Sequence, residues 1–212
     1  MTFDSAYWED RYRTHPGAAC DPPSPHLVQI TADLPAGTAL EAGCGEGGNA
    51  VWLARQGWQV TAVDIAPTAL DRGRRYAGEQ GPAIADRIRW VESDLTTWAP
   101  PGDGPGYDLV TSHYVHPEGP FEDLATRLAS AVAPGGLLAL VGHDAADAHS
   151  AQHAPGHASW RPDEIARALD DAHWEVLEAG TRTRTAGHGR TLHDAVLLAR
   201  RGGEASRTPL PT

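Results

Sequence analysis

A glycine-rich segment between two apolar runs constrains the fold of this chain more than any other feature. The run Leu40-Glu41-Ala42-Gly43-Cys44-Gly45-Glu46-Gly47-Gly48 predicts a strand, a tight turn and the start of a helix. Glycines in such a turn let the backbone approach a ligand closely, because no Cβ stands in the way. Asp64 ends the next apolar run, 21 residues after Gly43, where a carboxylate can hold the two hydroxyls of a ribose. Together these features predict a nucleoside-containing cofactor at the carboxyl ends of a parallel sheet.

The chain around this segment alternates between strand and helix patterns. Short apolar runs predict strands over residues 38–42, 59–63, 88–92, 107–112 and 137–142. Helical spacing predicts helices over residues 3–13, 26–34, 48–56, 67–80, 121–132 and 161–171, with Ser24 as the N-cap of the second and a turn at residues 133–136. Such alternation is typical of an α/β fold with a doubly wound, mostly parallel sheet.

The last two predicted strands differ from the others in direction. Residues 174–185 and 190–201 have strand character and flank the turn Ala186-Gly187-His188-Gly189. So short a connection makes them antiparallel, because a parallel return needs a crossover of about a dozen residues. We therefore expect seven strands with an antiparallel last strand. We also expect one domain over residues 1–201, in which residues 1–36 form a helical cap over the site, and a disordered tail at 202–212.

Composition excludes several classes of function. The net charge is −11 and all 17 basic residues are arginines, so nucleic acid is a poor partner and no lysine is present for a Schiff base or a phosphate loop. No apolar run approaches the roughly 20 residues that span a bilayer, and the N-terminus lacks a signal-peptide pattern. We expect a cytoplasmic protein without a disulfide between Cys20 and Cys44; the sequence permits a homodimer.

The glycine pattern alone leaves two cofactors open. Gly43, Gly45 and Gly48 satisfy the G-x-G-x-x-G pattern of dinucleotide enzymes, so an NAD-dependent oxidoreductase is one interpretation. Glu41 and Glu46 oppose it, because a helix N-terminus that holds phosphate favours anions and two carboxylates repel them. The same carboxylates suit the sulfonium and ammonium groups of S-adenosyl-L-methionine (SAM).

Longer motifs make a family resemblance recognisable. The stretch EAGCGEGGNAVWLARQGWQVTAVDIAPTAL (41–70) resembles the first two motifs of the class I SAM-dependent methyltransferases, which have a Rossmann-like fold. The similarity continues through VESDL (91–95), YDLVTSHYVH (107–116) and APGGLLALVGHD (133–144), and covers about residues 38–201. The opening WEDRY (8–12) resembles the small bacterial branch that includes tellurite-resistance and thiopurine-type enzymes.

The resemblance implies a set of cofactor-binding residues. It implies that the turn of Gly43, Cys44, Gly45 and Gly47 wraps the methionine part of SAM with support from Glu41. Asp64 would bind the ribose hydroxyls, Ile65 would pack on the adenine, and Asp94 and the Leu95 backbone would bind the adenine edge. Ser112, with the two residues after it, would lie under the sulfonium. The aromatic residues of the first helix either cap the core, or Trp8 or Tyr12 closes over the cofactor or the substrate.

Methyl transfer itself requires mainly an in-line arrangement, and a general base where the acceptor is a hydroxyl or a protonated amine. His113, His116 and His143 are the candidate bases, because they follow two strands at the edge where open sheets bind ligands. His193, in the last strand, is interpreted as structural or as part of the pocket floor.

His149, His153 and His157 repeat every four residues, but Pro155-Gly156 interrupts any helix there. We therefore expect no metal, and a flexible lid over residues 144–160.

The sequence thus predicts a SAM-dependent methyltransferase for a small-molecule acceptor with an oxygen, sulfur, nitrogen or carbon nucleophile. A non-catalytic or rearrangement-type SAM-binding protein and an NAD-dependent oxidoreductase are the alternatives.

Overall fold

The computed structural model describes residues 3–15, 22–100, 104–144, 160–186 and 190–203. The strands are β1 (Thr38–Ala42), β2 (Gln59–Asp64), β3 (Ile88–Glu92), β4 (Tyr107–His113), β5 (Val132–His143), β6 (Trp174–Ala186) and β7 (Arg190–Arg201). The helices are α1 (Ser5–Thr14), α2 (Pro25–Thr31), α3 (Gly48–Arg55), α4 (Pro67–Glu79), α5 (Pro82–Ala85), α6 (Phe121–Ser130) and α7 (Pro162–Ala168). None of the helices in this described part is long and apolar enough to cross a membrane.

One seven-stranded sheet organises the chain, in the order β3-β2-β1-β4-β5-β7-β6. The first five strands are parallel, and β7 lies antiparallel between β5 and β6. The predicted α/β class, the parallel majority and the antiparallel last strand are confirmed. The strand order reverses between β1 and β4, and open α/β sheets bind ligands at the carboxyl ends of the strands at such a reversal.

Two apolar clusters cover the two faces of the sheet. Successive side chains of a strand point to opposite faces, and Leu40 and Leu138 accordingly belong to one cluster while Ala39 and Leu137 belong to the other. Helix α6 packs in the first cluster, and helix α3 packs in the second. Burial on both faces explains why β5 reads as a continuous apolar run.

Several predicted boundaries are wrong by a few residues. The helix predicted over 121–132 ends at Ser130, because Val132 already pairs with Tyr107 as the first residue of β5. The segment Ala133–Gly136 is therefore a bulge within that strand, where the register shifts, and not a turn before it. The helix predicted over 161–171 ends at Ala168, and the four-residue helix α5 was not predicted.

The two N-terminal helices begin in different ways. Asp4 caps α1 by accepting a hydrogen bond from the Tyr7 N–H at 2.8 Å. Ser24 stands at the N-cap of α2 as predicted, but its side chain makes no capping bond. Its N–H instead donates to Asn49 Oδ1 at 2.8 Å, which fastens the start of α2 to α3.

Candidate functional site

A cavity of about 1210 Å³ opens at the carboxyl ends of the parallel strands. Its wall consists of the segments that follow β1, β2, β3 and β4, together with the end of β5, one residue of β6 and the N-terminal helices α1 and α2. The predicted site residues in this wall are Trp8, Glu41, Gly43, Cys44, Gly45, Gly47, Asp64, Ile65, Asp94, Leu95, His113, His116 and His143. The sheet therefore gathers residues that lie far apart in the sequence.

Hydrogen bonds to the end of β2 fix the position of the glycine turn after β1. The N–H groups of Gly43 and Cys44 both donate to the Val63 carbonyl, at 2.8 and 3.0 Å. Gly45 has a φ of 52°, in the left-handed region that favours glycine. A Cβ at Gly45 would lie 2.8 Å from the Tyr12 hydroxyl oxygen. At its glycine positions the turn thus presents backbone to the cavity.

Asp64 joins the glycine turn to β2. Its Oδ2 accepts a hydrogen bond from the Gly45 N–H at 2.7 Å, and its Oδ1 accepts one from the Ala66 N–H at 3.0 Å. Burial raises the pKa of Asp64, although these backbone hydrogen bonds oppose the shift. Asp64 therefore has a structural task that the sequence did not reveal, in addition to the ribose contact that the family resemblance implies.

Glu41 is a buried carboxylate with one unused oxygen. Its Oε1 accepts a hydrogen bond from Asn49 Nδ2 at 2.9 Å, while its Oε2 has no hydrogen-bond partner among the described residues. Burial raises the pKa of Glu41 to about 8, against the opposing effect of Asn49. A buried polar atom without a partner is costly, and a ligand ammonium group would supply the missing donor.

Glu46 differs from Glu41, although the sequence suggested that both place negative charge at the turn. Arg72 Nη1 lies 2.6 Å from Glu46 Oε1, in a mostly buried ion pair. This pair offsets the charge of Glu46, so the expectation that Glu46 repels phosphate is wrong in its premise. The preference for a cation at this end of the cavity depends on Glu41 and Asp64.

Four other residues predicted to bind the cofactor lie in or near the cavity wall, namely Asp94, Leu95, Cys44 and Ser112. Asp94 Oδ1 accepts hydrogen bonds from the backbone N–H and the hydroxyl of Thr96, each at 2.8 Å, and so begins a turn. Leu95 is buried and packs in the apolar core as well as in the cavity wall. Burial also raises the pKa of the Cys44 thiol well above its usual value, consistent with a small space-filling residue. Ser112 is buried in β4, one residue before the segment of β4 that reaches the wall.

Tyr12 and Trp8 of α1 contact different parts of the cavity wall. The Tyr12 hydroxyl lies over Gly45, and the raised pKa of Tyr12 has burial as its main cause, followed by the charge of Asp64. The Trp8 ring instead stacks on His116, with centroids 6.2 Å apart and planes 8° apart. The structure therefore places Tyr12 against the glycine turn and Trp8 against His116, with the two rings adjacent at 6.4 Å between centroids.

The three candidate bases occupy different environments. His113 is buried, its Nε2 lies 2.8 Å from Thr111 Oγ1, and burial lowers its pKa to about 3. His116 is buried between the Trp8 and His143 rings, the latter 6.3 Å away between centroids. His143 is about one-third exposed, with 34% of its side-chain surface open. His113 is thus held neutral, whereas His143 is the most accessible of the three.

A charged cluster beside these histidines was missed by the sequence analysis. Asp194 is fully buried, and its Oδ2 accepts hydrogen bonds from His26 Nε2 at 2.8 Å and from Arg184 Nε at 2.6 Å. The Arg184 guanidinium lies 5.5 Å from the centroid of the Tyr114 ring. Tyr114 has a φ of 56°, a strained conformation for a non-glycine residue.

The sequence analysis singled out His193, which is next to Asp194 in the chain. His193, interpreted as structural or as part of the pocket floor, is exposed, whereas Asp194 is buried. The pairing of β7 with β5 sets Asp194 opposite His143, and such a pairing between distant segments is not apparent from either segment alone.

Some predictions concern residues outside the described ranges. These are the expected lid with its three spaced histidines, the turn at 187–189, Cys20 and most of the C-terminal tail. Within the described ranges, no group of three or more His, Cys, Asp or Glu residues could hold a metal ion.

Comparisons with known proteins indicate a methyltransferase domain. A family model described as a methyltransferase domain matches residues 39–136. A ubiquinone biosynthesis O-methyltransferase from Xylella fastidiosa is 29% identical over 136 residues, which are 64% of this chain and 54% of the relative. An uncharacterized methyltransferase from Mycobacterium tuberculosis is 38% identical over 53% of this chain and 54% of its own length. The chain therefore spans about half the length of these curated relatives.

Among solved structures, TehB from Haemophilus influenzae has the same fold. The TM-score is 0.66 at 17% identity, over 91% of this chain and 66% of TehB. At this identity the likeness concerns the fold alone, and it agrees with the predicted Rossmann-like fold.

Proposed function

We propose that this chain, which belongs to the class I SAM-dependent methyltransferase superfamily, transfers a methyl group from SAM to a small-molecule acceptor. The observation that carries the proposal is a single cavity with two chemically different ends. One end has an open glycine turn and the unused Glu41 oxygen. The other end has imidazole, guanidinium and aromatic groups.

The first end fits the cosubstrate. SAM brings a positively charged sulfonium, whose methyl group leaves a neutral thioether behind. Glu41 Oε2 would accept a hydrogen bond from its ammonium group, and the backbone from Gly43 to Gly47 would follow its amino-acid part. Asp64 would bind the ribose hydroxyls, since each carboxylate oxygen can accept a second hydrogen bond.

The adenine would lie between the segments that follow β2 and β3. Ile65 would pack on its ring, while Asp94 and the backbone of Leu95 would bind its edge. Both segments line the cavity. A dinucleotide fits less well, because its pyrophosphate would approach the buried carboxylate of Asp64.

The N-terminal helices would act as a cap on this site within one domain. Glu9 in α1 accepts a hydrogen bond from the Thr68 N–H of α4 at 3.0 Å, and Tyr12 and Trp8 line the cavity. In α2, His26 is bonded to Asp194 of β7. These contacts support a cap that closes the acceptor pocket against water.

Calorimetry with SAM, S-adenosylhomocysteine and NAD tests the cofactor assignment. We expect SAM and its demethylated product to bind, and Glu41→Gln to weaken SAM binding. Glu175→Gln, an exposed position on β6, is the matched control and should bind like the wild type. Binding of NAD without binding of SAM would overturn the proposal.

Turnover with labelled SAM and a panel of phenols, thiols and amines tests the transfer itself. We expect label in at least one acceptor class. SAM binding without transfer to any member of the panel would favour the alternative of a non-catalytic or rearrangement-type SAM-binding protein.

A further inference from the structure

We infer that His143 and Asp194 form a proton-accepting pair, and that the acceptor is an aromatic hydroxyl whose proton this pair removes. The inference rests on the proposed function and adds to it a catalytic residue, a positioning residue and a substrate class.

The two carboxylate oxygens of Asp194 differ in their hydrogen bonds. Its Oδ2 is occupied by His26 and Arg184, whereas its Oδ1 has no hydrogen-bond partner among the described residues. His143 Nδ1 lies 4.0 Å from that unused oxygen, and the Tyr114 hydroxyl also interacts with the Asp194 carboxylate. A shift of about 1 Å would turn this approach into a hydrogen bond, and catalytic hydrogen bonds are often long before substrate binds.

Such a hydrogen bond would fix the protonation state of the imidazole. With Nδ1–H donating to Asp194, Nε2 becomes the basic nitrogen of His143. Asp194 is suited to this task because it stays ionised. Although burial works to raise the pKa of Asp194, hydrogen bonds from His26 and Arg184 lower it below its usual value.

Other groups near His143 do not replace Asp194 in this role. The Tyr114 and His116 rings lie 4.8 and 6.3 Å away between centroids. The guanidinium of Arg184 is bonded to Asp194, and Asp144, next in the chain, is bonded to the Thr181 hydroxyl. Asp194 is the carboxylate that the pairing of β5 with β7 sets opposite His143.

The acceptor class follows from the strength of this base and from the wall beside it. A thiol needs little help near neutral pH, because some thiolate is already present. A phenol, with a pKa of about 10, is within reach of an imidazole, whereas an aliphatic alcohol is a far weaker acid. The stacked rings of Trp8 and His116 give this end of the cavity a flat aromatic wall.

The transfer step balances without any further reactant. The phenol proton moves to Nε2 of His143 while the acceptor oxygen forms its bond to the methyl carbon. The carbon–sulfur bond breaks and its electron pair stays on sulfur, so the leaving group is neutral. Solvent then takes the proton from the His143 imidazolium.

Two variants and a matched control test the pair. With a phenol acceptor, His143→Gln should lower kcat by about 100-fold with little change in KM, and should remove the acid-side inflection of the pH–rate profile. Asp194→Asn should move that inflection to lower pH, because a nearby carboxylate favours the imidazolium. His173→Gln is the control, since His173 and Asp170 form an exposed pair of the same kind, 2.6 Å apart, outside the cavity.

NMR titration of the histidines in the cofactor-free protein gives a readout that needs no turnover. We expect the His143 resonance to titrate at lower pH in Asp194→Asn than in the wild type. His143→Gln, at a partly exposed position, keeps the kinetic test valid if Asp194→Asn does not fold. An unchanged kcat in His143→Gln, an unchanged His143 titration in Asp194→Asn, or methylation of thiols or amines without phenols would overturn the inference. Failure of SAM to bind would instead overturn the proposed function.

Discussion

Binding of SAM should depend on pH through Glu41. This carboxyl group is buried, has one unused oxygen, and has a pKa raised by burial to about 8. At pH 7 it is therefore roughly 90% protonated in the cofactor-free protein. An ammonium group beside Oε2 favours the ionised form, so binding should release a proton from Glu41.

The magnitude follows from the difference between pH and pKa. Ionising a group of pKa about 8 costs roughly 1 kcal/mol at pH 7 and roughly 3 kcal/mol at pH 6. Because the ionised form binds better, affinity rises with pH up to about pH 8, above which the amino group of the ligand itself loses its proton. We expect the Kd for SAM to fall about tenfold between pH 6 and pH 7.

Calorimetry in two buffers of different ionisation enthalpy measures both quantities. The wild type should release roughly 0.9 proton from Glu41 at pH 7, and Glu41→Gln should lack this contribution. The amino group of the ligand titrates equally with both proteins, so the difference between them isolates Glu41. A Kd with the same pH dependence in wild type and Glu41→Gln would refute the reasoning.

Three further substitutions test other parts of the site and the fold. Asp64→Asn should weaken SAM binding by about 1–3 kcal/mol and also lower the melting temperature. An amide cannot accept hydrogen bonds from both the Gly45 and the Ala66 N–H as well as a carboxylate does. An unchanged affinity in calorimetry would contradict the ribose role. Gly45→Ala should abolish measurable SAM binding, since the new Cβ meets the Tyr12 hydroxyl. Adding Tyr12→Phe should restore part of the binding. Equal binding by the single and double variants would exclude this contact. Leu138→Ala, at a fully buried position of β5, should lower the unfolding free energy by about 2–5 kcal/mol in denaturant titration, and a change below 1 kcal/mol would mean that this core is loosely packed.

The elements that could be predicted are those with a local cause. The apolar runs of β1 and β3 match the structure at both ends, because each is a short buried segment bounded by turn residues. The glycine turn was recognisable for the same reason, since three positive φ values in five residues can be met only by glycines at low cost.

Features that depend on pairing between distant segments could not be predicted. The bulge at Ala133–Gly136 depends on the register between β4 and β5. The approach of Asp194 to His143 depends on β7 entering the sheet beside β5. Nor did the sequence distinguish Tyr12 from Trp8, because the direction of α1 is set by its contact with α4. In each case the local pattern was compatible with more than one tertiary arrangement.

Two buried carboxyl groups of the site differ in protonation for reasons that match their proposed tasks. Glu41 has one amide partner, so burial dominates and its pKa rises to about 8. Asp194 has an imidazole and a guanidinium as partners, so the pKa of Asp194 falls despite burial. A neutral carboxyl group becomes charged when a cation arrives, whereas a carboxylate that is already compensated can stabilise a proton on its neighbour. The two ends of the cavity are thus prepared for opposite events, the binding of a cation near Glu41 and the uptake of a proton near Asp194.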